Sequence, residues 1–281
     1  MGTPEEVRSP IVGVFDRSVA TYDRVNIDFF QPMGRELVQR TEIGPGEHVL
    51  DAGCGRGAAL FAAAGRVGES GSVIGVDPAP TMVELTGAEI RTRRLVNATV
   101  RLDDAERPNF LPSSFDVVIA SLVIFFMSDP QAALRHYATL VRPGGRVGFS
   151  SFGAEDERFI EALRVIAQHV PDAASRGHRR RHSPLRDESS IRDLLDRAGY
   201  HHATMSEAAF SSRFRDPEHW FEWTWSHGGR GLLERVPADR LADATAAAFE
   251  VMEQARVPSG GLVLTTRVRF TVAWPDAHRG S

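Results

Sequence analysis

Lysine is missing from all 281 residues, so each of the 33 basic residues is an arginine. That excludes a phosphate-binding loop built on a lysine and any lysine Schiff base to a carbonyl cofactor. Codon bias toward GC-rich triplets accounts for the arginines, and the chemical exclusion holds whatever the cause. Cysteine is nearly absent too. Cys54 stands alone, which rules out an internal disulfide and fits a reducing cytoplasm. No apolar run approaches the ~18 residues of a membrane-spanning helix. The first residues, MGTPEEVRSP, lack the basic start and apolar stretch of a secretory signal, so a cytoplasmic location with no membrane partner is expected. A net charge of −4 gives no basic footprint for nucleic acid.

What is present is the composition of an ordinary globular protein, 42% hydrophobic and 25% charged. Short apolar runs alternate with amphipathic stretches from residue 47 to 152, the pattern of a parallel sheet with crossover helices. Strands are expected at 48–53, 72–77, 99–104, 115–121 and 146–152, with helices at 58–64, 81–95 and 130–141. The turn RPGG at 142–145 closes the last helix. Beyond 152, helices are expected at 155–170 and 190–198, and alternating strands at 206–215 and 261–274. A helical insertion, rich in tryptophan at its start, fills 216–258. At the front, Phe15, Val19, Tyr22, Val25, Phe29 and Phe30 recur at helical spacing.

The stretch VLDAGCGRGAAL, residues 49–60, follows an apolar run with glycines at 53, 55 and 57. A dinucleotide site needs G-x-G-x-x-G, with the pyrophosphate on a helix N-terminus. Here the glycines fall at every second position, with Asp51 just ahead of them. Ligands of an open α/β sheet bind beyond the carboxyl ends of the strands, and those ends are acidic: Asp51, Asp77 and the pair Asp103-Asp104. Carboxylates in these places repel phosphate and suit a ligand with a cationic end. S-adenosylmethionine is such a ligand, with Asp51 facing its ammonium, Asp77 its ribose hydroxyls and Asp104 its adenine amine.

Read in order, VLDAGCGRG, GVDPAPTMV, LDDAE, SFDVVIASLVI and LVRPGGRVGFSSF resemble the motifs of class I S-adenosylmethionine-dependent methyltransferases. The resemblance is to the branch of ubiquinone/menaquinone C-methyltransferases and bacterial small-molecule methyltransferases. It covers residues 9–152, and beyond them only the final strand pair. It implies an α/β, doubly wound, Rossmann-like sheet of seven strands with an antiparallel edge strand. The helical spacing at the front gives an N-terminal helical lid or flank (1–40), or a plain core-facing helix, ahead of a cofactor-binding core (41–152) and a remainder (153–281). That remainder belongs to the same sheet domain and carries acceptor-site insertions at 153–186 and 216–258. The motif positions carry over onto Asp51, Gly53, Cys54, Gly55, Asp77, Pro78, Met82 against adenine, Asp104, Ala105 and Ser121. Tyr22 matches an aromatic that covers the cofactor. Cys54 reads as a small residue beneath the cofactor rather than a reactive thiol, since nothing cationic lies near it in sequence.

Methyl transfer needs positioning, and a base only where the acceptor must lose a proton. His227 is the candidate catalytic base, and Tyr22 is a second, separate candidate. Trp220 and Trp223, three residues apart, either wall a hydrophobic acceptor or bury the insertion. The run RGHRRRHSP at 176–184 is either an anion clamp that includes His182 or a solvated loop. A metal between His178 and His182 would be opposed by the three arginines, so no metal is expected. His136 is expected on the solvent face of its helix. The expected function is S-adenosylmethionine-dependent C- or O-methylation of a hydrophobic small molecule in specialised metabolism. The alternative is a cyclase or isomerase that binds the cofactor without transferring methyl. The partner is a small-molecule acceptor, and a homodimer is left open.

Overall fold

Apolar runs bounded by turn residues make seven strands: β1 His48–Ala52, β2 Ser72–Asp77, β3 Ala98–Leu102, β4 Phe115–Ala120, β5 Val141–Phe152, β6 His202–Phe214 and β7 Leu262–Trp274. The computed structural model describes residues 10–22, 25–171 and 184–276. The arginine-rich run with His178 and His182 lies outside the described residues. One sheet joins the strands in the order β3-β2-β1-β4-β5-β7-β6. The first five pair in parallel, with Leu50 opposite both Ile74 and Val118, and β7 runs antiparallel to β5. After β3 the chain returns to the other side of β1, so the order reverses between β1 and β4, the place where such sheets bind ligands.

The helices are α1 Pro10–Tyr22, α2 Phe30–Arg40, α3 Ala58–Val67, α4 Pro80–Thr92, α5 Pro130–Leu140, α6 Glu157–Gln168, α7 Glu188–Ala198, α8 Pro217–Trp225, α9 Arg230–Leu233 and α10 Leu241–Glu253. Three start on an aspartate that accepts from a backbone N–H one turn on: Asp129 from Ala132, Asp187 from Ser190 and Asp216 from His219. α7 stops at Gly199, whose φ of 91° lets the chain turn away. On one side of the sheet Leu50, Val118, Val147 and Phe149 bury against Leu134 and Tyr137 of α5 and Ile191 and Leu195 of α7. Each such side chain contributes ~1.5–3 kcal/mol of burial. Truncation of Leu134 to alanine would cost ~2–5 kcal/mol through lost contact and the cavity left behind.

Two compact units divide the described chain: residues 10–22, 25–28, 154–171 and 209–266 form one, and 29–153, 184–208 and 267–276 the other. The first break falls at 28/29. Helix α2 groups with the sheet because it lies so close to α3 that a Cβ on Gly34 would stand 2.6 Å from the Ala58 backbone. Met33, Leu37 and Val38 of α2 are buried.

Three local expectations need correction. Strand β3 ends at Leu102, two residues early, because the Asp103 carboxylate accepts from the N–H groups of Asp104 and Asn109 and turns the chain. The RPGG turn lies inside β5: pairing with β4 jumps from Phe115↔Val141 to Val117↔Arg146, leaving 142–145 as a bulge. His136 is half-buried rather than on a solvent face, its Nε2 2.9 Å from the Pro108 carbonyl.

Candidate active site

In the larger unit the glycine loop is fastened to the end of β2. The N–H groups of Gly53 and Cys54 both donate to the Val76 carbonyl, at 2.8 and 2.9 Å. Gly55 N donates to Asp77 Oδ2 at 2.8 Å and Ala79 N to Asp77 Oδ1 at 2.9 Å. From the far side, Thr86 Oγ1 donates to the Gly55 carbonyl at 2.7 Å. The glycines have separate reasons. Gly53, at φ 73°, would place a Cβ 2.5 Å from Val123, the residue that follows β4 by three. Gly55, at φ 49°, would point a Cβ into open space, so backbone is accessible there. Side chains would strain both positions.

Asp51 lies at the carboxyl end of β1 with 1% of its surface exposed. Neither carboxylate oxygen has a hydrogen-bond partner. Burial, helped by the charge of Asp77, pushes its carboxyl up from 3.8 to about 7. A smaller opposing pull comes from the Leu60 backbone N–H, which does not reach hydrogen-bond geometry. Asp77 is 8% exposed. Pro78 follows it into α4, and Met82 on the first turn of α4 is buried. Between these carboxylates Cys54 is buried, and desolvation with the negative charges of Asp51 and Asp77 pushes its thiol well up. Such a thiol is protonated and inert.

The loop after β3 divides its two aspartates. Asp103 is taken up by the backbone and Arg101, whereas Asp104 is exposed and uses Oδ1 to accept from Glu106 N at 2.8 Å. Ala105 is buried, and its carbonyl accepts the Tyr137 hydroxyl at 2.5 Å. Glu106 in turn accepts from Ser128 N and Oγ at 2.7 and 3.0 Å, tying this loop to the segment after β4. Ser121, half-buried, leaves β4 just before Leu122, a non-glycine residue at φ 53° whose N–H donates to Ser150 Oγ at 3.0 Å. The fold thus collects Asp51, the glycine loop, Asp77, Asp104, Ala105 and Ser121 at neighbouring strand ends. An orphaned buried carboxylate beside an open backbone cradle fits a nucleoside with a cationic end, and it disfavours a pyrophosphate.

The smaller unit holds the other candidates. The Tyr22 and His227 rings lie 4.5 Å apart between centroids, tilted by 58°. His227 is buried, with Nδ1 2.6 Å from the Trp223 carbonyl. A carbonyl can only accept, so Nδ1 carries a hydrogen and donates to it. Trp220 has no exposed surface and its Nε1 lacks a hydrogen-bond partner. It packs edge-on to Phe159, and Trp223 packs against Phe159 and Phe214. Trp220 therefore supplies packing rather than a contact face for an acceptor. His219, which sequence reasoning passed over, accepts from Arg215 N on Nδ1 and donates from Nε2 to the Val25 carbonyl at 2.6 Å. His182 lies outside the described residues. Among the described residues no three His, Cys, Asp or Glu side chains gather in a way that could hold a metal, and no helix is long and apolar enough to cross a membrane.

Comparison with known proteins bears on this arrangement. A family described as "Methyltransferase domain" matches residues 49–145. The nocamycin O-methyltransferase of Saccharothrix syringae is 37% identical over 244 residues, spanning 83% of this chain and 87% of that one. The aklanonic acid methyltransferase DauC of a Streptomyces species is 46% identical over 144 residues, 51% of this chain and 66% of DauC. Among solved structures, the YcgJ protein of Bacillus subtilis superposes with a TM-score of 0.59 at 17% identity over 87% of this chain and 99% of YcgJ, a likeness of fold.

Proposed function

Because this chain belongs to the S-adenosylmethionine-dependent methyltransferases, we propose that it methylates an oxygen of a hydrophobic small molecule in bacterial specialised metabolism. The supporting observation is the extent of its similarity to an O-methyltransferase. An alignment of 244 residues is longer than the whole chain up to the end of β5, so it takes in segments that follow the cofactor motifs. The cyclase or isomerase alternative gains nothing from these relatives, which are named for methyl transfer.

The bound cofactor supplies a methyl group on a sulfonium whose sulfur leaves as a neutral thioether. The chain's own part is to hold and orient. Asp51 balances the ammonium, and Asp77, at the carboxyl end of β2, takes the ribose hydroxyls. Asp104 takes the adenine amine, Met82 packs against the ring, and the backbone of Gly53, Gly55, Ala105 and Ser121 closes around the nucleoside. His227, its Nδ1 held by the Trp223 carbonyl, receives the acceptor hydroxyl proton, and the Tyr22 ring tilted against it orders the imidazole. The reading further places the enzyme in the cytoplasm, acting on a small molecule rather than on nucleic acid.

Incubation with methyl-labelled S-adenosylmethionine and an extract of the host tests this. Label should enter an organic-soluble product whose methyl carbon shows the NMR shift of a methoxy group. Label on carbon would overturn the oxygen assignment, and cofactor binding without any labelled product would revive the cyclase.

A further inference from the structure

The carboxyl end of β5 carries two features that the roles above leave unused. Phe152, its last residue, lies 5.3 Å from Phe125 between ring centroids, and both rings are half-buried. Phe152 stands at the carboxyl end of β5 and Phe125 follows the end of β4, the end of the sheet where ligands bind. One residue back, Ser151 pairs in register with Arg269 of β7, as Phe149 pairs with Thr271. By the two-residue alternation of strands, Ser151, Arg269 and Thr271 share the face of Phe149, and Phe125 packs on the apolar cluster of that face.

Three polar atoms on this face are buried without a hydrogen-bond partner: Ser151 Oγ, Arg269 Nη1 and Thr271 Oγ1. Arg269 is anchored, with Nη2 donating to Glu207 Oε1 at 2.7 Å and 13% of its side chain exposed. Its other amino group is thereby fixed in the interior with two N–H donors unspent. Nearby positions of the same two strands are Val147, Val268 and Val272, the choice expected of packing alone. Buried polar groups are paired as a rule, and a concentration of unpaired ones marks a place where another group belongs.

We propose that Arg269, Ser151 and Thr271 form an acceptor-recognition subsite. It receives a hydrogen-bond-accepting oxygen, carbonyl or carboxylate, of a planar conjugated acceptor whose ring system rests on Phe125, the ring that packs on that face. This rests on reading the chain as a small-molecule methyltransferase. The guanidinium offers only donors and the two hydroxyls can turn to donate, so the set as a whole calls for an acceptor oxygen. Glu207 already offsets the guanidinium charge, so a neutral carbonyl can serve as well as an anion. The flat rings suit offset stacking.

The test titrates the full chain, loaded with S-adenosylhomocysteine, with 2-naphthoate, 2-acetonaphthone and 2-ethylnaphthalene in a calorimeter. At least one oxygenated probe should bind tenfold or more tighter than the hydrocarbon. Arg269→Met should erase that preference, and so should the milder pair Ser151→Ala with Thr271→Val, which keeps the Arg269–Glu207 ion pair should the first variant fail to fold. A preference for naphthoate assigns a carboxylate, and equal binding of the two oxygenated probes assigns a carbonyl. No advantage over the hydrocarbon, or an advantage that survives these substitutions, overturns the subsite. S-adenosylhomocysteine affinity, measured alongside, should be unchanged in the variants, whereas its absence in the unaltered protein would refute the methyltransferase reading instead.

Discussion

Replacing Asp51 with asparagine should stabilise the ligand-free protein at alkaline pH while weakening its hold on the cofactor. The carboxyl titrates at 3.8 in the unfolded chain and at about 7 in the folded one, raised by burial and by Asp77. At about 1.4 kcal/mol per pH unit this difference is worth about 4 kcal/mol. Its sign follows from which state binds the proton. Below pH 4 both states are protonated and the group is neutral toward folding. Between pH 4 and 7 the unfolded chain ionises first, so stability falls as pH rises; above 7 the penalty is constant. Asparagine cannot ionise, but it still buries an amide, so the gain at pH 8.5 should reach roughly 1–4 kcal/mol. Unfolding followed at pH 4, 5.5, 7 and 8.5 should show the two proteins converging in acid and separating in base. A cation on Asp51 should also expel its proton, about half of one per site at pH 7, measurable by calorimetry in buffers of different ionisation enthalpy. Parallel pH profiles for the two proteins, or cofactor binding without proton release, would refute the reasoning.

Other outcomes follow from the same geometry. Asp77→Ala should weaken cofactor binding by ~1–3 kcal/mol and also lower the melting temperature, because the N–H groups of Gly55 and Ala79 lose their acceptor. Calorimetry with S-adenosylhomocysteine beside a thermal scan separates the two effects, and unchanged affinity removes Asp77 from the site. Gly53→Ala, placing a methyl 2.5 Å from Val123 at φ 73°, should cost at least ~1–2 kcal/mol of stability, read by urea titration. His227→Ala should abolish turnover with S-adenosylhomocysteine affinity kept, and normal turnover in a labelled-methyl assay would exclude it as the base.

The sheet was legible because β1, β2 and β4 are short apolar runs, and each starts where its run does. The positions of Asp51 and Asp77 followed from the same rule. Strand ends decided by side chains were harder: Asp103 turns β3 through its own carboxylate, which an apolar count does not register. The bulge at 142–145 shows only in the register of β4 and β5. Sequence spacing also gave no means of choosing which of 16 phenylalanines meet, so Phe125 and Phe152 were passed over while Trp220 drew attention. Nor could it show that Ser151 and Arg269, far apart in the chain, stand opposite one another, because strand register is a tertiary property.

The burial of Cys54 has a practical use. As the protein's sole thiol, wedged under the glycine loop and held protonated by its acidic neighbours, it can be alkylated only when that loop lifts. The rate of labelling then becomes a clock for the opening of the nucleoside cleft, read on the natural chain with no introduced probe, and slowed by whatever keeps the loop down.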